Sequence, residues 1–261
     1  MGYQHLITQR DGAVERLQLN RPDVRNAFND VMIGEISDWA GAIAHDRAVR
    51  AVVITGAGPT FCAGADLAWM AKTIDFTEAE NVDDARLASM MFAAIDELPF
   101  PVVARIHGAA LGGGAGLAAV CDVVLAEEHA MFGFTEVKLG IVPAVISPFV
   151  VAKIGRSAAR ELFLTGRRFT ARHALDIGLV HDVVQPEDLE AAVNGVVREI
   201  LSAGPEAAAA AKALIADVWD KTPGEARDRT AHALARRRIS AEGQEGLRAF
   251  LQKRKPGWSG E

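Results

Sequence analysis

ALGGGAGLAAVCD, residues 110–122, places four glycines within five positions and follows them with a short apolar run. Without a Cβ, such a loop lets its backbone come close to a ligand or to another stretch of protein. Gly114-Ala-Gly116-Leu-Ala-Ala119 also fits the G-x-G-x-x-G/A template of a dinucleotide site. That template needs a strand running straight into the first glycine and a helix long enough to cross back over the sheet. Here the strand-like run PVVARIHG (101–108) ends near Ile106, several residues before the glycines. Only Leu117 to Val120 then separate them from the next strand-like run, CDVVLAEE (121–128). The crossover is too short, and no regular βαβ series flanks it. A nicotinamide or flavin role is therefore set aside, and the plain alternative is a tight turn packing a short helix on a sheet.

Working outward, LITQR and AVERLQL flank Asp11-Gly12 and predict a hairpin. NRPDVRNAF (20–28) is a loop around Pro22, and 31–46 has helical spacing. AVVIT (51–55) predicts a buried strand, FCAGADLAWMAK (61–72) a loop entering a helix, and 79–99 a longer helix stopped by Pro99. MFGF (131–134) adds a strand, and from about Ser157 the pattern turns helical. Strands thus concentrate in the first half and helices in the second, with no flexible linker between.

The chain has 261 residues, half of them hydrophobic, enough for a sizeable core. A formal charge of −6 and a pI near 5.7 argue against nucleic-acid or anionic-membrane binding. The most apolar stretch, 139–152, is shorter than a membrane span and carries Pro143 and Pro148. The polar N-terminus lacks the apolar core of a signal peptide. Cys62 and Cys121 make no disulfide framework and have no metal-ligand spacing, so a cytoplasmic protein without a metal is expected. His107 has no Ser or Asp in a triad pattern and reads as a packed strand-end residue.

NRPDVRNAF, FCAGADL, HGAALGGGAGLAAVCD and FGFTEVKLGIVPA occur in that order, followed by LTGRRFTARHALDIGLVHDVV and the basic end AFLQKRKPGW. This ordered set resembles the crotonase superfamily, the enoyl-CoA hydratase/isomerase group, over nearly the whole chain. The resemblance implies an α/β fold: a crotonase-type spiral of ββα repeats over 1–200, then a helical C-terminal trimerisation region over 201–261. It also implies a homotrimer or a dimer of trimers acting on acyl-CoA thioesters. Coenzyme A would be part of the substrate, with no separate cofactor.

By matching motifs, the Ala65 and Gly113 amides would form an oxyanion hole for the thioester oxygen, and Glu136 would be the acid/base. Apolar neighbours are expected to raise the Glu136 pKa toward working pH. The resemblance places Val24, Arg25, Ala63, Asp66, Leu67 and Gly112 along the acyl-CoA path. Ala144 offers a backbone N–H to the reacting water. Phe250 and Lys253 lie in a tail that touches the nucleotide, often across a subunit interface. Ala68 stands where the family often has a lysine, so a phosphate contact must come from elsewhere. Arg236 to Arg238 read as a surface face.

Gly116 departs from the pattern, because hydratases of the best-known type carry a second Glu there. Three reactions stay open: double-bond isomerisation, decarboxylation, and hydration with a substitute for the missing group. A lapsed family member that only binds acyl-CoA is a fourth reading. TEVKLGIVPAVISPFVV with a GGGxGL loop looks like the bacterial branch acting on 3-methylglutaconyl- and isohexenylglutaconyl-CoA. This favours hydration, with the substrate's own carboxylate expected in empty space beside Gly116.

Overall fold

The computed structural model describes residues 2–259. Asp11-Gly12 turns β1 (Leu6–Asp11) back antiparallel onto β2 (Val14–Leu19), with Gly12 at φ +55°. From β2 the sheet grows in parallel through β3 (Ala51–Gly56), β4 (Val102–Ile106), β6 (Val123–Glu127) and β9 (Asp182–Val184). Successive side chains point to opposite faces of a strand. Val52, Ile54, Val102, Ala104, Val124 and Ala126 accordingly join the main core under α1 (Asp30–Ile43) and α3 (Glu78–Asp96). Val53, Val103 and Leu125 face the other way, onto Leu189, Val193 and Val197 of α7 (Leu189–Ser202). Helices cover both faces, which is why these parallel strands read as continuous apolar runs.

A second, short sheet holds β5 (Ala109–Leu111), β7 (Met131–Gly133) and β8 (Arg168–Thr170), in that order. Two isolated parallel bridges, Cys62 to Ala110 and Phe28 to Ala65, carry this layer into the earlier chain. The result is a spiral. Its turns are β2–Phe28–α1; β3–Cys62 to Ala65–α2 (Leu67–Thr73) and α3; β4–β5–α4 (Gly113–Val120); and β6–β7–α5 (Ser147–Thr165). After α6 (Ala171–Asp176), β9 and α7, the chain is helical: α8 (Pro205–Val218), α9 (Pro223–Ile239) and α10 (Ala241–Leu251) pack on one another. Lys212 of α8 ties this layer to the core through Asp122 Oδ2 at 2.7 Å, and Arg50 donates to the Leu201 and Ala203 carbonyls. Among the described residues no helix is long and apolar enough to cross a membrane.

Three expectations need correction. The glycine run does not precede a helix; Gly113 is the first residue of α4, so the helix still ends before crossing the sheet. α5 starts at Ser147, ahead of Ser157, because Pro148 suits a first helical turn and its apolar face is then buried. Gly155, at φ +73°, kinks it. β8 and β9 lie in the half read as helical, since three-residue strands such as RFT and DVV are too short to show a period.

Candidate active site

The site begins at a buried asparagine. Asn26, at φ +55° and fully buried, accepts the Arg21 N–H at 2.8 Å and donates to the Ala57 and Thr60 carbonyls at 2.8 and 2.7 Å. It clamps the 20–28 loop to the loop after β3. The next residues then pair: Phe28 N–H donates to Gly64 C=O at 2.7 Å, and Asp66 N–H to Phe28 C=O at 2.8 Å. Since Gly64 C=O and Asp66 N–H both face Phe28, the Ala65 N–H between them faces away. On that opposite edge, Cys62 N–H donates to Ala109 C=O and accepts, through its own carbonyl, the Leu111 N–H, both at 3.0 Å. The 62–65 segment is thus gripped between Phe28 and the glycine loop.

Gly112 caps α4 with φ +50° and ψ −120°, a conformation that only glycine adopts readily. A Cβ on Gly114 would lie 2.9 Å from Cys62 Cβ and closer still to its carbonyl oxygen, and one on Gly113 would lie 3.1 Å from Phe28 Cδ2. Bare backbone is required so that α4 can butt against the 62–65 segment. As the first helical residue, Gly113 has an N–H without an intrahelical acceptor, at the positive end of the helix. Among the described residues, no backbone carbonyl accepts from the Ala65 or Gly113 N–H.

Glu136 opens a 3₁₀ turn (Glu136–Leu139) after β7. Its Oε1 lies 3.2 Å from where a Gly112 Cβ would sit, and its Oε2 is buried without a hydrogen-bond partner. Burial pushes its carboxyl above the usual 4.5, opposed only by its own backbone N–H. Ala65, Gly113 and Glu136 line one cavity of about 170 Å³, closed by Phe28, Trp69, Met91 and Phe92 and by the 141–146 segment. Two roomier clefts, about 600 and 650 Å³, lie where α8 meets the core and where α8 meets α9; neither is lined by a glycine-rich loop. Two free N–H groups can hold a developing oxyanion, and a desolvated carboxylate beside them can move a proton at a neighbouring carbon.

The profile of the enoyl-CoA hydratase/isomerase family matches residues 9–261. The chain belongs to this family. It is 35% identical to the crotonyl-CoA hydratase of Syntrophomonas wolfei over 98% of both chains, and 36% identical to the 2,3-dehydroadipyl-CoA hydratase of Escherichia coli, again over 98% of both. The fold matches Pseudomonas aeruginosa AtuE with a TM-score of 0.95, at 40% identity, over 98% of this chain and all of that one.

Against the crotonase pattern, the structure brings Ala65, Gly112, Gly113 and Glu136 together. Arg25 C=O accepts the Ala63 N–H at 3.0 Å, which sets Val24 and Arg25 beside the second loop, with Val24 and Leu67 exposed. Asp66 has a structural job in this second loop. Its carboxylate takes the Ala68 and Trp69 N–H groups at 2.7 and 3.2 Å, capping α2, and pairs with Arg21 at 2.8 Å. Phe250 and Lys253 lie on and after α10 and do not line the cavity of their own chain. Both thiols are buried and pushed up to about 12 by desolvation, and His107 Nε2 sits 2.9 Å from Gly58 C=O. Among the described residues no three His, Cys, Asp or Glu cluster as metal ligands.

Two expectations fail. The space beside Gly116 is not empty: a Cβ there would lie 2.8 Å from Ile146 Cβ and closer still to Cγ2. Ala144 does line the cavity, but its N–H is already committed to Val142 C=O at 2.8 Å. Sequence reasoning missed Asn26, Phe28 and Ile146. The first two were within reach, since an Asn two residues before a Phe in a proline loop suits a left-handed turn feeding an extended bridge. Ile146 gave no local signal.

Proposed function

We propose that this protein hydrates the double bond of an enoyl-CoA thioester, with Glu136 as the sole acid/base. The carrying observation is the buried, unpartnered Glu136 Oε2 in the same cavity as the Ala65 and Gly113 amides. The thioester oxygen accepts both N–H groups. Glu136 takes a proton from water, and the water oxygen bonds to the β carbon. The double-bond electrons move onto the thioester as an enolate held by the two donors. Glu136 then returns its proton to the α carbon, so one water is added and the carboxylate is restored. Each backbone donor in such a hole contributes roughly 10²–10³ in rate.

The cavity lining supports an uncharged acyl group, because among the described residues Glu136 is the one ionisable side chain lining it, beside apolar side chains, the Trp69 indole and backbone. The related hydratases span a crotonyl and a dicarboxylic dehydroadipyl thioester, so their names leave the acyl class open. The glutaconyl preference still rests on the resemblance of the 135–151 segment and the glycine loop, but a substrate carboxylate does not fit beside Gly116, where Ile146 fills the space. Exposed Ile215, Trp219, Ile239 and Phe250 on α8 to α10 support a homotrimer or a dimer of trimers, which light scattering on the pure protein would measure. Two buried free thiols favour a reducing compartment such as the cytoplasm.

One observation favours a second reading: with Ala144 N–H committed to Val142, a lone carboxylate could instead shuttle a proton between two carbons, as in a Δ3–Δ2 isomerase. Incubation with crotonyl-, 3-hexenoyl- and 3-methylglutaconyl-CoA separates the two. Hydration predicts a mass gain of one water on crotonyl-CoA with loss of the conjugated absorbance. Mass-neutral conjugation of 3-hexenoyl-CoA with no hydration would overturn it.

A further inference from the structure

Gly116 lies three residues beyond Gly113 on α4, so the two share a face of the helix. Any side chain at 116 would start 2.8 Å from Ile146 Cβ, well inside the roughly 3.5–4.0 Å at which two non-bonded carbons sit. Ile146 cannot easily yield. It is 1% exposed, it stands at the start of α5 where its carbonyl accepts the Val150 N–H at 3.0 Å, and its β-branch restricts its rotamers. The same residue lines the cavity beside Glu136, Gly113 and Val145. One side chain therefore borders both the helix that presents the oxyanion donor and the space for the acyl group.

We propose that Ile146 is a specificity-determining residue, size-coupled to Gly116: its side chain occupies the volume a residue at 116 would enter, bounds the acyl cavity on the α4 side, and keeps Glu136 the cavity's one carboxylate. The claim about acyl selection rests on reading the cavity as an acyl-CoA site; the claim about coupling does not. It follows that a Glu cannot be restored at 116 by a single substitution, and that trimming Ile146 opens room next to the β carbon of a bound acyl chain.

Melting and binding test the two halves separately. Gly116→Ala in the native background lowers Tm by about 5 °C through overpacking, whereas in an Ile146→Ala background, which removes Cγ2 but keeps the Cβ at 2.8 Å, the same change costs clearly less. Equal shifts in the two backgrounds would overturn the coupling. By calorimetry, Ile146→Ala raises the affinity for isovaleryl-CoA relative to butyryl-CoA by about tenfold, the worth of one methyl group's fit in an apolar pocket. Ile146→Val shifts the ratio in the same direction by less and guards against a poorly folded alanine variant. An unchanged ratio in both variants would overturn the selection claim. If the native protein bound both thioesters yet turned over no enoyl-CoA, only the proposed hydration would fall.

Discussion

Glu136 Oε1 lies 3.2 Å from the point where a Cβ would sit on Gly112, the residue whose φ of +50° turns the chain into α4. Base and oxyanion donor are therefore set by one close packing, with no room for a methyl group between the carboxylate and the cap. Gly112→Ala is expected to strain the cap and displace both the Gly113 N–H and the carboxylate. Losing one oxyanion donor predicts a fall in kcat of about 10²–10³, with a Tm lowered by only a few degrees. Steady-state rates beside a melting curve check this; a kcat within twofold of native would contradict it.

Glu136 trades stability for reactivity. Its folded pKa is raised, so its uncharged form is the favoured one in the folded protein. The associated stability is full below the unfolded pKa and is lost as pH rises through the folded value. Glu136→Gln, which stays neutral, should thus raise Tm at pH 7 while lowering kcat by about 10³-fold. In the native enzyme, the acidic limb of kcat/KM should lie above the ordinary glutamate value, because the base must be ionised. A Tm that falls, or a limb at or below the ordinary value, would contradict the burial argument.

Asp66 shows the opposite sign. Burial alone would push its carboxyl up, but the Trp69 and Ala68 N–H groups and the Arg21 guanidinium outweigh it and hold it below the usual 3.8. Its stabilisation is present above the unfolded pKa and is lost as pH falls through the folded one. Asp66→Ala removes the α2 cap and leaves Arg21, with only 14% of its side chain exposed, without its partner. A loss of about 3 kcal/mol at pH 7 is expected, shrinking toward acid, along with a lower kcat as the adjoining Ala65 amide drifts. Urea unfolding at pH 7 and pH 3 measures it; an equal loss at both would point to some other cause.

Much of this site was legible in the sequence because its parts are local. CAGADL, the glycine run and FTEVKLG each carry a backbone conformation or a carboxylate that can be named from a few residues. What was not legible is contact between distant segments. Gly116 reads as a missing group, and only the fold reveals that Ile146 has taken the space. Ala144 likewise looks like a free amide until the turn from Val142 to Ala144 closes on it. In the scaffold, β9 was hidden because three residues cannot show an alternation, yet its place beside β6 completes the main sheet.

Asn26 supplies a purely structural prediction. Its side chain satisfies three backbone groups in a buried place, joining the first two loops of the site. Asn26→Ala leaves them unpaired, at roughly 1–3 kcal/mol for each buried group that finds no water. Unfolding in urea should show a loss of at least about 2 kcal/mol. Asn26→Asp, which keeps the acceptor but not the two donated bonds, should fall between.

The central claim is that Glu136 and the two backbone donors add water across an enoyl thioester. It is tested most directly by incubating crotonyl-CoA with native and Glu136→Gln protein in water enriched in heavy oxygen, and reading the product by mass spectrometry. The account predicts one heavy oxygen on the β carbon with the native protein, and formation slowed about 10³-fold with the variant. Incorporation at the native rate by Glu136→Gln, or none by the native protein, would contradict it.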